Sequence, residues 1–151
     1  MSDLRELYQE TILDHGKRPR HFERMPDADR TAEGQNPLCG DRLTVFVKIE
    51  DERVSRVTFQ GAGCAISMAS ASLMAEALTG MRIEDVKRLF GEFHELVAGS
   101  GGATDEQLGK LRVFRGVREY PVRVKCATLA WHALRAALER AERPVTTEEG
   151  S

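Results

Sequence analysis

The side chains with most chemical capacity in this 151-residue chain are its three cysteines, Cys39, Cys64 and Cys126, with Asp41 beside the first of them. The thiolate is the form of cysteine that binds metal and attacks electrophiles, so the surroundings of each thiol decide its use. Asp41 stands two positions after Cys39, with Gly40 between them. In extended backbone those two side chains project the same way, and the glycine lets the chain bend tightly. Cys64 lies between an alternating apolar stretch and a helical one, and Cys126 is read as opening the last helix. A cysteine at a helix N-terminus feels the positive end of the dipole, which favours its thiolate. Three thiolates and one carboxylate suit a tetrahedral zinc. Such a site is net negative, and Arg123 and Lys125 beside Cys126 stand where they would offset it.

Other chemistries have less to stand on. A single cysteine is more often a small buried hydrophobe, and the wide spacing of these three matches no compact CxxC signature, so their joint placement carries the argument. Gly61-Ala62-Gly63 is not a phosphate loop: Ile66 occupies the third glycine position of GxGxxG, and no Lys-Ser/Thr pair follows. No GxSxG elbow occurs for a serine hydrolase. His132 falls about 240° around a helix from Cys126 and faces away from it. His15, His21 and His94 read as solvated, so no histidine is a strong ligand candidate.

The cysteines need a scaffold, and the chain is long enough to supply one. Its composition, 41% apolar and 30% charged with a net charge of -2, is that of an ordinary globular protein. The interspersed charges give no footprint for nucleic acid, and no stretch approaches the roughly 20 apolar residues of a membrane span. The first residues, Asp3-Leu4-Arg5-Glu6, are charged where a secretory leader is apolar, so the expectation is a cytoplasmic protein. An odd number of cysteines in a reducing compartment favours metal or nucleophile over disulfide.

Helical spacing of Leu4, Leu7, Tyr8 and Ile12 predicts an N-terminal helix ending at Gly16. Residues 17–34 read as a loop, with a strand before Cys39 only weakly signalled. Leu43, Val45, Val47 and Ile49 alternate as a strand, Glu50 to Arg53 is a turn, and Val54 to Gln60 returns antiparallel. A helix built of small residues follows Cys64 as far as Gly80, and another runs from Ile83 to Val97. A glycine-rich break comes next, Thr104 to Gln107 resembles a capping box, and Leu108 and Leu111 belong to a short segment. Pro121 is read as ending that stretch, and Ala127 to Ala141 forms the last helix. The expected class is α+β, a small antiparallel sheet with helices packed on one face, forming one domain over residues 1–143 and leaving 144–151 as a polar, disordered tail.

The segments Asn36-Pro37-Leu38-Cys39-Gly40-Asp41, Gly61-Ala62-Gly63-Cys64-Ala65-Ile66-Ser67 and Lys125-Cys126-Ala127-Thr128-Leu129-Ala130-Trp131 resemble the three cysteine motifs of the IscU/NifU-like iron–sulfur cluster assembly family, over nearly the whole chain from Leu4 to Ala141. Two features resemble its SufU branch: Lys125 stands where scaffold-type members carry a histidine, and an extra segment lies between Phe90 and Val117. The resemblance implies the IscU/NifU-like fold and a zinc-dependent sulfurtransferase. Such a protein takes persulfide sulfur from a PLP-dependent, SufS-like cysteine desulfurase and passes it toward a downstream cluster-assembly scaffold. It further implies Cys39, Asp41, Cys64 and Cys126 as zinc ligands, Cys39 as sulfur acceptor, and Arg123 and Lys125 as supporting charges. Because zinc-bound thiolate is a weak nucleophile, the acceptor has to leave the metal before it attacks. The alternatives are a scaffold on which a [2Fe–2S] cluster is assembled and a structural zinc-binding adaptor.

Overall fold

The computed structural model describes residues 2–37, 40–98, 108–139 and 145–146. Helix α1 (Ser2–Lys17) leads into a meander of strands β1 (Arg30–Asn36), β2 (Asp41–Glu50) and β3 (Arg53–Ala62). Helices α2 (Ala65–Leu78) and α3 (Ile83–Ala98), a 3-10 segment (Gly109–Glu119), helix α4 (Pro121–Leu138) and the two-residue strand β4 (Val145–Thr146) follow. The sheet order is β3-β2-β1-β4, with the first three strands antiparallel. This is the expected α+β class, with α2 and α4 laid on the sheet and α1 on α2.

The β2–β3 hairpin turns through Asp51 and Glu52, both at positive φ (52° and 61°), the conformation that matches a two-residue turn to the twist of its strands. Inward-facing Leu43, Val45, Val47, Val57 and Phe59 are fully buried beneath α2 and α4. The outer helices close over Trp131, which stacks on Phe93 at 4.4 Å, while Phe93 meets Phe114 edge-on at 5.8 Å. Backbone at His21 accepts the Phe59 N–H, and Phe22 packs edge-on against Phe59, so this segment guards the β3 edge.

The structure departs from the sequence reading at several points. Strand β1 occupies residues read mainly as loop. Its inward residues are Ala32, Gly34 and Asn36, too small to advertise a core strand, because α4 comes so close that a Cβ on Gly34 would lie 3.1 Å from Leu129 and 3.2 Å from Ala133. Val145 and Thr146, within the segment read as a polar tail, pair in parallel with Gly34 and Gln35. Pro121 begins α4 instead of ending what precedes it, in keeping with proline's fitness for the first helical turn. Gly16 lies inside α1, where it meets Ala65. The glycine-rich break and the capping box at 104–107 lie outside the described residues.

Helix α2 carries three buried serines, each tied to another element. Ser67 reaches β2, Ser70 donates to the Ala127 carbonyl and accepts from the Trp131 indole, and Ser72 accepts the Arg20 N–H and meets His15 Nδ1 at 2.7 Å. His15, expected to be solvated, is only 3% exposed. Burial, and after it the Arg20 charge, hold its pKa below the ordinary 6.5. The folded state therefore binds the proton less readily than the unfolded chain does, and stability falls as pH drops below about 6.5. His132 adds to the same slope, its pKa lowered by burial first and by His94 second. Denaturant midpoints of wild type are expected to decline from neutral to mildly acidic pH. A His15→Gln variant should show a shallower decline, by up to about 1.4 kcal/mol per unit of depression removed; equal slopes would contradict a buried neutral His15.

Candidate metal centre

The centre forms where the start of β2, the start of α2 and the inward face of α4 meet. Asp41 opens β2 and is 3% exposed. One carboxylate oxygen accepts the Cys64 backbone N–H at 3.0 Å and the other accepts the Ser67 hydroxyl at 2.5 Å, so a buried charge is hydrogen-bonded on both sides. Gly63 leaves room for this, since a Cβ there would stand 3.1 Å from the Asp41 carboxyl.

Cys64 caps α2 as expected, with extended backbone and its sulfur accepting the Ser67 N–H at 3.5 Å. Its pKa falls from 9.0 to about 6. The largest cause is the hydrogen bond from Cys126; burial opposes it, and Ser67 adds to it through both backbone and hydroxyl. These hydrogen bonds favour the Cys64 thiolate, against burial and the neighbouring Asp41 charge.

Cys126 corrects the sequence reading. It is the sixth residue of α4, not its first, and the dipole's influence fades within the first turn. Its sulfur is instead buried and receives an N–H from the side chain of Asn36, at 3.6 Å. Arg123 is exposed and lies over the Tyr120 ring at 4.5 Å, and Lys125 is half-buried one position before Cys126. Cys39 lies outside the described residues, between Pro37 and a Gly40 whose positive φ of 74° bears out the tight bend expected there.

The ligand atoms of Asp41, Cys64 and Cys126 all lie within 4.8 Å of one another, the only such cluster among the described residues. Two sulfurs on a tetrahedral zinc, about 2.3 Å from the metal, stand roughly 3.8 Å apart. Cys64 Sγ and Asp41 Oδ2 are already 3.7 Å apart. Two thiols and a carboxylate at this spacing fit zinc, with a fourth position open to another donor. No described histidine joins them: His15 is tied to Ser72, while His132 and His94 pack beside each other on α4 and α3.

Sequence reasoning missed Ser67 and Asn36, although both lie in the cysteine motifs. The usable signal was position: Ser67 is three residues after a capping Cys64, where a helix still has a free N–H and a short hydroxyl can turn back. Removing the hydroxyl leaves the Asp41 carboxylate one donor short. Ser67→Ala is expected to lower zinc affinity about 10- to 100-fold, as loss of a hydrogen bond behind a metal ligand typically does. Competition against a chromogenic chelator measures this, and wild-type affinity in the variant would contradict the role given to Ser67.

Comparison with known proteins follows the same residues. Residues 7–127 match the model of the NifU-like N terminal domain. The chain is 37% identical over 149 residues to the zinc-dependent sulfurtransferase SufU of Bacillus subtilis, covering 99% of this chain and 96% of that one. It is also 37% identical over 140 residues to the iron-sulfur cluster assembly scaffold protein IscU of Streptococcus pyogenes, covering 93% and 87%. A crystal structure described as a putative iron-sulfur cluster assembly scaffold protein for the SUF system, from Fervidobacterium islandicum, superposes with a TM-score of 0.81 at 31% identity, covering 85% of this chain and 94% of that one. With its fold, its three cysteine motifs and its Asp41–Cys64–Cys126 cluster, the chain belongs to the NifU-like N-terminal domain family of iron–sulfur cluster assembly proteins.

Proposed function

We propose that this protein is a zinc-dependent sulfur carrier that accepts persulfide sulfur from a cysteine desulfurase for iron–sulfur cluster assembly. The observation that carries the reading is the convergence of Asp41, Cys64 and Cys126 on one point, with Lys125 in place of the histidine of cluster scaffolds. Cys39 is the fourth ligand and the sulfur acceptor. Bound zinc keeps the thiolates deprotonated and shields them from oxidation.

The chain's own residues do the rest. Asp41, held by Cys64 and Ser67, fixes the start of β2, and Cys64 and Cys126 are fixed by helix and strand. Cys39 supplies the thiolate that meets the partner. It attacks the outer sulfur of the desulfurase persulfide, the donor's S–S bond breaks, and the desulfurase cysteine departs as thiolate. Cys39 then holds the transferred sulfur as its own persulfide and delivers it by a second exchange of the same kind. Arg123 and Lys125 supply positive charge for the anionic intermediates. The partners are a SufS-like, PLP-dependent desulfurase and a downstream assembly scaffold. We place this exchange in the cytoplasm and assign it to residues 1–143 acting as one unit. Among the described residues no helix is long and apolar enough to cross a membrane.

A second reading, a scaffold that assembles a [2Fe–2S] cluster on the same thiols, draws support from the equally similar relative named as an IscU scaffold. Metal analysis of protein purified without added metal separates the two. Near-stoichiometric zinc is expected, whereas iron with acid-labile sulfide and no zinc would overturn our reading. The Cys39→Ala variant should lose its stimulation of cysteine turnover by the desulfurase; stimulation equal to wild type would show that Cys39 is not the acceptor.

A further inference from the structure

The buried side chain of Asn36 has a place in this site that none of the motif readings assigns. It is 0% exposed, at the last position of β1, on the inward face it shares with Ala32 and Gly34. Its amide N–H points at the sulfur of Cys126 at 3.6 Å. Its backbone carbonyl accepts the Gly40 N–H at 2.8 Å, closing the connection that contains Cys39, and across the sheet its register partner is Asp41. Asn36 and Asp41 are therefore the two posts of that connection. One grips Cys126; the other grips the Cys64 N–H and the Ser67 hydroxyl.

We propose that Asn36 is a positioning residue that pins the Cys126 sulfur as a metal ligand. The inference rests on the zinc site proposed above. A buried amide without a partner is unfavourable, and a thiolate is an acceptor that strengthens its hydrogen bond. The amide proton also draws charge from one sulfur of a set that is net negative, as hydrogen bonds behind metal ligands do. Cys64 receives the equivalent N–H from the Ser67 backbone, so both helix-borne sulfurs are held by an amide. The two grips are independent, one from a strand side chain and one from a helix backbone.

The test uses Co2+ as a spectroscopic stand-in for zinc in wild type, Asn36→Leu and Asn36→Asp. Both variants keep the branched shape and remove the N–H donor; the second keeps the site polar should the first fail to fold. In a folded variant, the sulfur-to-cobalt charge-transfer band is expected to move to lower energy, because the sulfur regains the charge the amide withdrew. Zinc affinity should fall about 10- to 100-fold in chelator competition. A purely structural asparagine would leave the band energy in place. Wild-type band energy and affinity in a folded variant would overturn this inference alone. A wild-type protein that takes up neither Co2+ nor Zn2+ would overturn the metal reading, and this inference with it.

Discussion

The buried carboxylate of Asp41 is the constraint on which the rest of the site depends. A charge that is 3% exposed has to be matched by donors, and here the donors are the Cys64 N–H and the Ser67 hydroxyl. Satisfying it fixes the first turn of α2 against the first residue of β2, elements separated by the whole hairpin. The same hydroxyl, whose single proton goes to Asp41, lies 3.3 Å from the Cys126 carbonyl, so α4 packs directly against this pair. One hydrogen-bonded anion thus sets the relative positions of three elements, and each of them delivers one donor atom. The stability of the fold and the geometry of the site are the same interaction seen from two sides.

Small residues are what make that convergence possible. Gly63 admits the Asp41 carboxyl, Gly34 admits α4, and the alanines and serines of α2 allow helices to approach one another closely. The serines are buried without loss because each hydroxyl bonds across to a neighbour, so α2 is an apolar helix studded with polar ties. Aromatic side chains pack together around Trp131, Phe93 and Phe114, while Leu43, Val45, Val47, Val57 and Phe59 fill the core on the sheet side.

Much of this was legible in the sequence where side-chain periodicity reports burial directly. Strands β2 and β3, helices α2 and α3 and the cap at Cys64 follow from alternation, helical spacing and a thiol ahead of an apolar run. β1 was obscure because its inward residues are small or polar: a face of Ala32, Gly34 and Asn36 carries no hydrophobic signal, yet it is buried by the approach of α4. The position of Cys126 was misjudged for a related reason. Pro121 reads as a stop from one side and as a start from the other, and only the structure shows it opening α4. His15 looked solvated because its burial comes from α2, far away in sequence. The cysteine and aspartate candidates were named from residue type and motif, but the groups that hold them, Ser67 and Asn36, became visible only through tertiary contact.

The inequality we propose among the three thiols sets Cys64 and Cys126, each held by an amide, apart from Cys39 as the acceptor of sulfur. Its most direct test is mass spectrometry with peptide mapping after the zinc-loaded protein is incubated with a cysteine desulfurase and cysteine. The account predicts one added sulfur, located on the peptide containing Cys39, while Cys64 and Cys126 remain unmodified. Added sulfur on Cys64 or Cys126 in place of Cys39, or none on any cysteine while the desulfurase turns over, would contradict it.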